Sequence, residues 1–204
     1  MHHARYGLLR PLELALWLWD VISMDFIVDL PVSNRCSSIW LVVDRFTKMS
    51  HFIPLQDAEQ KAPHFVYIFL TEIWKHLAIP SIITSGRDIQ FTSMIWKHVV
   101  GTLGIKSIML SLFYPQTDGQ TERINQSLEC YFRGDCTYDQ DNWKELLPMA
   151  EYTYDNSLHS TVRMTLFIAN YGYYPWTNWP TVEPSWNPTF QNHILWLTSI
   201  HQLS

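Results

Sequence analysis

Along residues 22–55 the apolar positions come in short dense runs separated by turn formers. ISMDFIVDL (22–30) stops at Pro31 and the turn-forming pair Ser33-Asn34, SIWLVV (38–43) is uninterrupted, and HFIPL (51–55) carries Pro54. Runs of this length, rich in Ile, Val, Phe and Trp, predict strands, and the uninterrupted one predicts a strand buried on both faces. Proline has no N–H to give to a ladder, so Pro54 predicts an edge position or a strand end. Three strands in quick succession predict an antiparallel meander.

The period then changes. Phe65, Ile68, Phe69, Ile73 and Leu77 recur at helical spacing, with Pro63 suited to a first turn. PSIIT (80–84) predicts a fourth strand. Ile95, Trp96, Val99, Val100 and Leu103 predict a second helix, with Thr92 or Ser93 as N-cap and Gly104 at its end. KSIMLS (106–111) predicts a fifth strand. In 114–132, Thr117 followed by Gln120 has the capping-box spacing. Ile124, Leu128, Tyr131 and Phe132 make an apolar stripe opposite Glu122, Asn125, Glu129 and Arg133. GDCTYDQD (134–141) predicts a break, and Trp143 opens another helix, kinked or interrupted at Pro148. The order β-β-β-α-β-α-β-α-α predicts an α/β domain: a mixed five-stranded sheet, three strands in a meander and two added by crossovers, with helices on both faces. That domain covers residues 21–175, after a connector (1–20). Residues 176–204, rich in Trp, Asn, Pro and Thr, read as an irregular tail.

Composition changes this picture little. In 204 residues, 47% hydrophobic with ten each of Trp, Tyr and Phe, disorder is excluded as a description of the whole. A formal charge of −5 gives no support to a nucleic-acid partner, although a local basic strip can serve one. Cys36, Cys130 and Cys136 are odd in number and form no C-x-x-C pair, which argues against a disulfide framework or thiolate zinc site and for a reducing, intracellular compartment. Nothing near His2-His3 completes a metal-ligand set. LELALWLWDVI (12–22) contains Glu13 and Asp20, is too short to span a bilayer and lacks a signal-peptide cleavage site, so no membrane partner is expected.

The carboxylates carry the chemistry. Asp25 lies between Met24 and Phe26 in an apolar strand, where a bare carboxylate is costly. It is either on a solvated face shared with Ile27 and Asp29 or a metal ligand in mid-strand. Asp29 reads as a strand-end surface charge, Asp44 as either, and Asp118 as helix-start chemistry. Glu122, just inside a helix, is a dipole-matched surface charge or a group projecting over the sheet edge. Asp88, in the strand exit TSGRDIQF (84–91), is a third carboxylate of open role.

ISMDFIVDLP, LVVDRFTKMSHFIP, IITSGRDIQFTS, YPQTDGQTERINQSLE, QDNWKELLPMAEYTYDNSLHS and FIANYGYYP, in this order between Tyr6 and Pro175, resemble the integrase core of gypsy-class LTR retrotransposons. The resemblance implies an RNase H-like fold and an Asp, Asp, Glu triad holding two Mg²⁺ or Mn²⁺ ions. Two ions roughly 3.5–4 Å apart activate the attacking water or 3′-hydroxyl and stabilise the leaving oxygen of an in-line displacement at phosphorus. Asp25 matches the first Asp and Glu122 the Glu, which makes both metal ligands. The second Asp belongs to a pattern like Ser-Asp-Arg-Gly-Pro-Gln-Phe, and here its place is taken by Gly86, with Asp88 where the pattern has Gly. Thirty-five residues separate Gly86 from Glu122, the family's spacing, and only thirty-three separate Asp88 from it. In an extended chain, positions 86 and 88 share a face about 6.5–7 Å apart, and the following helix is expected to carry 88 away. The sequence therefore implies an integrase core with an incomplete triad, Asp88 being a doubtful substitute.

Other departures agree. Arg163-Met-Thr-Leu-Phe167 stands where the family has a Gly-Met-Ser-Pro-Phe-like run, and neither the His/His/Cys/Cys zinc module nor a chromodomain lies within these residues. Gln116, Gln120, Arg123 and Asn125 around the third long helix are DNA-contact candidates, with Lys48 and Lys106 as phosphate partners, or equally a solvated polar face. The implied partners are DNA (element ends and target), RNA as the other nucleic acid, and further copies of the chain; the implied location is nuclear. Three functions stay open: an integrase core of reduced activity performing 3′-processing and strand transfer, a non-catalytic nucleic-acid-binding or oligomerisation module (a pseudoenzyme), and a decayed element product.

Overall fold

The computed structural model describes residues 15–56, 61–77, 79–109, 115–137, 141–173 and 175, with the backbone alone for 62 and 115–122. The connector's first residues and the tail 176–204 lie outside the described residues.

The three early runs form β1 (Val21–Ile27), β2 (Cys36–Asp44) and β3 (Ser50–Gln56), paired antiparallel. β1 ends before the expected Leu30 because Asp29 turns the chain into the left-handed region (φ 59), which Asp tolerates better than most side chains. Asn34 and Arg35, at φ 46 and 68, make the tight turn between Ser33 and Cys36, whose N–H groups donate to each other's carbonyls at 2.9 Å.

The first helical stretch runs as α1 (Ala62–Ile68), a π-helical segment (Phe69–Trp74) and α2 (Lys75–Leu77). β4 (Ile82–Ser85) and β5 (Lys106–Met109) add in parallel, giving the order β3-β2-β1-β4-β5 with β1 central. Residues 110 and 111, included in the expected fifth strand, lie outside the described residues. Between β4 and β5 stand α3 (Ile89–Thr92), which no sequence period announced, and α4 (Met94–Thr102). Ser93 is the α4 N-cap, accepting from Trp96 N at 3.2 Å, and Gly104 follows at φ 71.

α5 (Pro115–Asp135) starts two residues before Thr117, which corrects the capping-box expectation: Thr117 is inside the helix, and Pro115, with its fixed φ and no N–H, stands in the first turn. The helix also runs through Gly134. α6 (Trp143–Asp155) continues past Pro148. A small hairpin, β6 (Leu158–His159) and β7 (Met164–Thr165), and α7 (Leu166–Tyr171) close the described chain.

The sheet separates two apolar layers. On one side Ile22, Met24, Phe26, Trp40 and Val42 meet Phe65, Phe69, Phe91 and Trp96. On the other, Ile39, Leu41, Val43 and Phe52 meet Ile124 and Leu128 of α5 and Trp143, Leu147 and Ala150 of α6. Phe65, Phe69, Phe91 and Trp96 bury aromatic faces worth about 1.5–3 kcal/mol each, and their rings lie within 6.1 Å of a neighbour's. β3 is an edge strand, as Pro54 predicted, and α6 lies along it. Its outward N–H groups at Ser50 and Phe52 donate to Asp155 Oδ1 (3.2 Å) and Glu151 Oε2 (2.7 Å).

Candidate active site at the exit of the central strands

Alternation along β1 decides where Asp25 points. Ile22, Met24 and Phe26 belong to the first apolar layer, so Val21, Ser23, Asp25 and Ile27 face the other, and Ile27 packs into the second cluster. Asp25 is half-buried on a face that α5 and α6 cover, not on a solvated outer face. Two residues before it, Ser23 is buried and its Oγ has no hydrogen-bond partner among the described residues.

The parallel register brings the β4 exit beside it. Val21 pairs with Ile82, Ser23 with Thr84 and Met24 with Ser85, so the next pair in line is Asp25 and Gly86. A Cβ built on Gly86 would lie 3.9 Å from Asp25 Oδ1, which puts the two positions at one corner of the sheet.

Asp88 faces this same corner. Its Oδ2 lies 2.9 Å from that Cβ position, so the Asp88 and Asp25 oxygens are separated by no more than the sum of the two distances. The expectation that the helix carries position 88 away fails for a local reason. Asp88 is the N-cap of α3 and still has extended backbone angles (φ −57, ψ 148), and its side chain makes no capping hydrogen bond. Only its carbonyl serves the helix, accepting from Thr92 N at 3.1 Å and Thr92 Oγ1 at 3.2 Å.

Of the remaining expected residues, Glu122 is the eighth residue of α5 and so in its third turn, deeper than the sequence suggested. α5 packs on β1. The side chains of Glu122, Gln116 and Gln120 lie outside the described residues. Arg123 is exposed on α5, and its charge reaches Tyr154 near the end of α6 and His159 in β6. Asn125 is half-buried, and its Oδ1 has no hydrogen-bond partner among the described residues.

Lys48 and Lys106 are not brought to the corner. Lys106 pairs with Ile82, at the start of β4, and Lys48 sits in the β2–β3 turn, where Arg45 N donates to Val21 O. Both are at the opposite end of the sheet, roughly 13 Å away along the strands. The Lys48 ammonium also donates to Arg45 O at 2.6 Å, and burial lowers its pKa.

Hard oxygen donors on two converging side chains suit Mg²⁺ or Mn²⁺ better than a soft metal. Among the described residues no three His, Cys, Asp or Glu side chains form a metal-holding group. Asp25 and Asp88 supply two donors around the space a side chain at 86 would enter, and this donor set fits such an ion.

Sequence reasoning missed a second acidic group, on the α6 side of β3. Asp155 is almost fully buried, and burial together with Glu151 pushes its pKa well up, opposed by the Ser50 N–H. Glu151 also meets His51 Nδ1 at 2.9 Å. The signal was present in EYTYD: Glu151 and Asp155 are spaced to share one helix face.

No protein-family model matches the chain. It is 33% identical over 177 residues to the Transposon Tf2-3 polyprotein of Schizosaccharomyces pombe, covering 85% of this chain and 13% of that protein. The Transposon Tf2-4 polyprotein of the same organism gives the same values. The chain thus spans only 13% of the length of these curated relatives. Among solved structures, it is similar to the catalytic core domain of BIV integrase (TM-score 0.55, 18% identity, 74% of this chain and 93% of that one). It is also similar to the HTLV-2 integrase catalytic core in complex with magnesium, in a trimeric form (TM-score 0.56, 14% identity, 74% and 96%). A chain of the simian T-cell lymphotropic virus intasome, solved with the PP2A regulatory subunit B56 gamma, matches 93% of this chain and 66% of its own length (TM-score 0.64, 18% identity).

Proposed function

We propose, for a chain that has the retroviral integrase core fold and is homologous to a segment of the Tf2 retrotransposon polyproteins, that it is the catalytic core of a gypsy-class retroelement integrase. Its reaction is polynucleotidyl transfer on DNA: trimming of 3′ ends by water, then attack of the exposed 3′-hydroxyl on target DNA. The observation that carries this reading is Asp25, a carboxylate on the middle strand of the sheet, half-buried beneath α5 and beside the β4 exit.

Asp25 and Glu122 would hold the divalent ions. Activation of the attacking oxygen and stabilisation of the leaving one are what such ions supply when bound. The chain's own contribution is position. β1 fixes Asp25 through ladders on both sides, and α5 closes over the same face of the sheet. Arg123 and Asn125, on α5 beyond Glu122, serve in this reading as contacts to the DNA backbone. The substrate places the protein in the nucleus, and self-association of several copies brings two DNA ends together.

A 3′-processing and strand-transfer assay in Mn²⁺ tests this. The full chain is expected to process an element-end duplex, and Asp25→Asn to reduce the rate at least ~100-fold, as loss of a contribution of several kcal/mol requires. Equal rates for the two proteins, or no reaction with either, overturn the reading. DNA binding without reaction in either protein would favour the non-catalytic module.

A further inference from the structure

The vacancy that Gly86 leaves in the carboxylate set is one that the chain itself can fill. Resting on the metal-dependent reading above, we propose that Asp88 supplies the second carboxylate of the centre. Asp25 and Asp88, not Asp25 and a residue at 86, would then join Glu122 around the ions.

Three observations carry this. The first is occupancy: Asp88 Oδ2 lies 2.9 Å from where a Cβ at 86 would be, closer than real Cβ contacts come. The carboxylate therefore stands in the space that any side chain at 86 would have to use. Glycine at 86 is what admits it, and the two positions are coupled.

The second is that the Asp88 side chain is not spent locally. Asp is among the preferred N-caps because its carboxylate accepts an N–H from the first turn, worth about 1 kcal/mol. Asp88 stands at the N-cap of α3 and makes no such bond. Its extended backbone angles instead send the side chain back along the line of β4, toward Gly86 and Asp25.

The third is the company it keeps. Asp25 Oδ1 is 3.9 Å from the same Cβ position. Both carboxylates thus direct an oxygen to one corner, and a cation placed between them would be attracted by each. The exchange of Asp and Gly between 86 and 88, relative to the pattern the sequence resembles, is then a relocation of one ligand by two residues.

The test is Mn²⁺ binding to the full chain, read by calorimetry and by loss of the free-ion paramagnetic resonance signal, with melting in EDTA as the control for folding. Asp88→Asn and Asp25→Asn are each expected to weaken Mn²⁺ at least ~10-fold, the lower end of what even outer ligands cost. The exchange Gly86→Asp with Asp88→Gly is expected to restore binding to within a few-fold of wild type. Gly86→Asp alone should bind no better than the double variant, because its Cβ displaces the Asp88 carboxylate. If Asp25→Asn loses Mn²⁺ while Asp88→Asn binds as wild type does, the relocation is wrong and the metal centre stands. If neither substitution changes binding, or the chain takes up no Mn²⁺, the metal-dependent reading falls and this proposal with it.

Discussion

At the scale of single residues, two aspartates show how differently a buried carboxylate can be handled. Asp25 keeps partial exposure at an open corner, whereas Asp155 is enclosed, with its proton held by burial and by Glu151. A carboxyl whose folded pKa is raised favours the fold most below its unfolded pKa, near 3.9, and that advantage is lost as pH rises through the folded value. Asp155→Asn keeps an acceptor for Ser50 N and removes the titration. Its Tm is expected to match wild type near pH 4 and to exceed it at pH 8, and thermal scans across that range check it. A wild-type advantage at pH 8 would mean that the buried charge is matched by a partner. Asp25 was legible in the sequence because one carboxylate interrupts an apolar run. The orientation of Asp88 was not, since it depends on where α3 begins, and a four-residue helix leaves no period to read.

Among the elements, legibility followed length. β1 to β3, α1, α4 and α5 with α6 each carry enough repeats for the period to show. The hairpin of β6 and β7, two residues a strand, and the π-helical segment do not. The start of α5 was misread because Thr117 and Gln120 have capping-box spacing, while Pro115 makes an equally good first turn. Asp88 opens α3, and Ser93 holds the other end of that helix against α4, donating to Gln90 O at 2.8 Å while accepting from Trp96 N. Ser93→Ala is expected to cost about 1 kcal/mol. In a domain of this size that is roughly 2–4 °C in Tm. If Asp88 is a ligand, the same substitution should also weaken Mn²⁺ binding, which a helix cap remote from the centre would not do.

For the molecule as a whole, a formal charge of −5 makes any DNA affinity a local matter. Few phosphate contacts mean a shallow salt dependence: each contact contributes a slope of about −0.9 in log K against log salt. Replacing exposed Arg123 with Ala should weaken binding alike for all sequences and reduce that slope by about one, as titrations between 50 and 200 mM salt, on the order of the physiological range, would show. An unchanged slope would remove Arg123 from the interface. Any association between copies of the chain is constrained by the outer strand of the sheet. At alternate positions of β3, the N–H groups of Ser50 and Phe52 are occupied by Asp155 and Glu151, and Pro54 has none to offer. A neighbouring chain therefore finds no free row of donors on which to extend the sheet. Any assembly on this side would have to proceed through helix faces and side chains, and strand-to-strand extension is blocked there by the same two acidic side chains that brace α6 against the sheet.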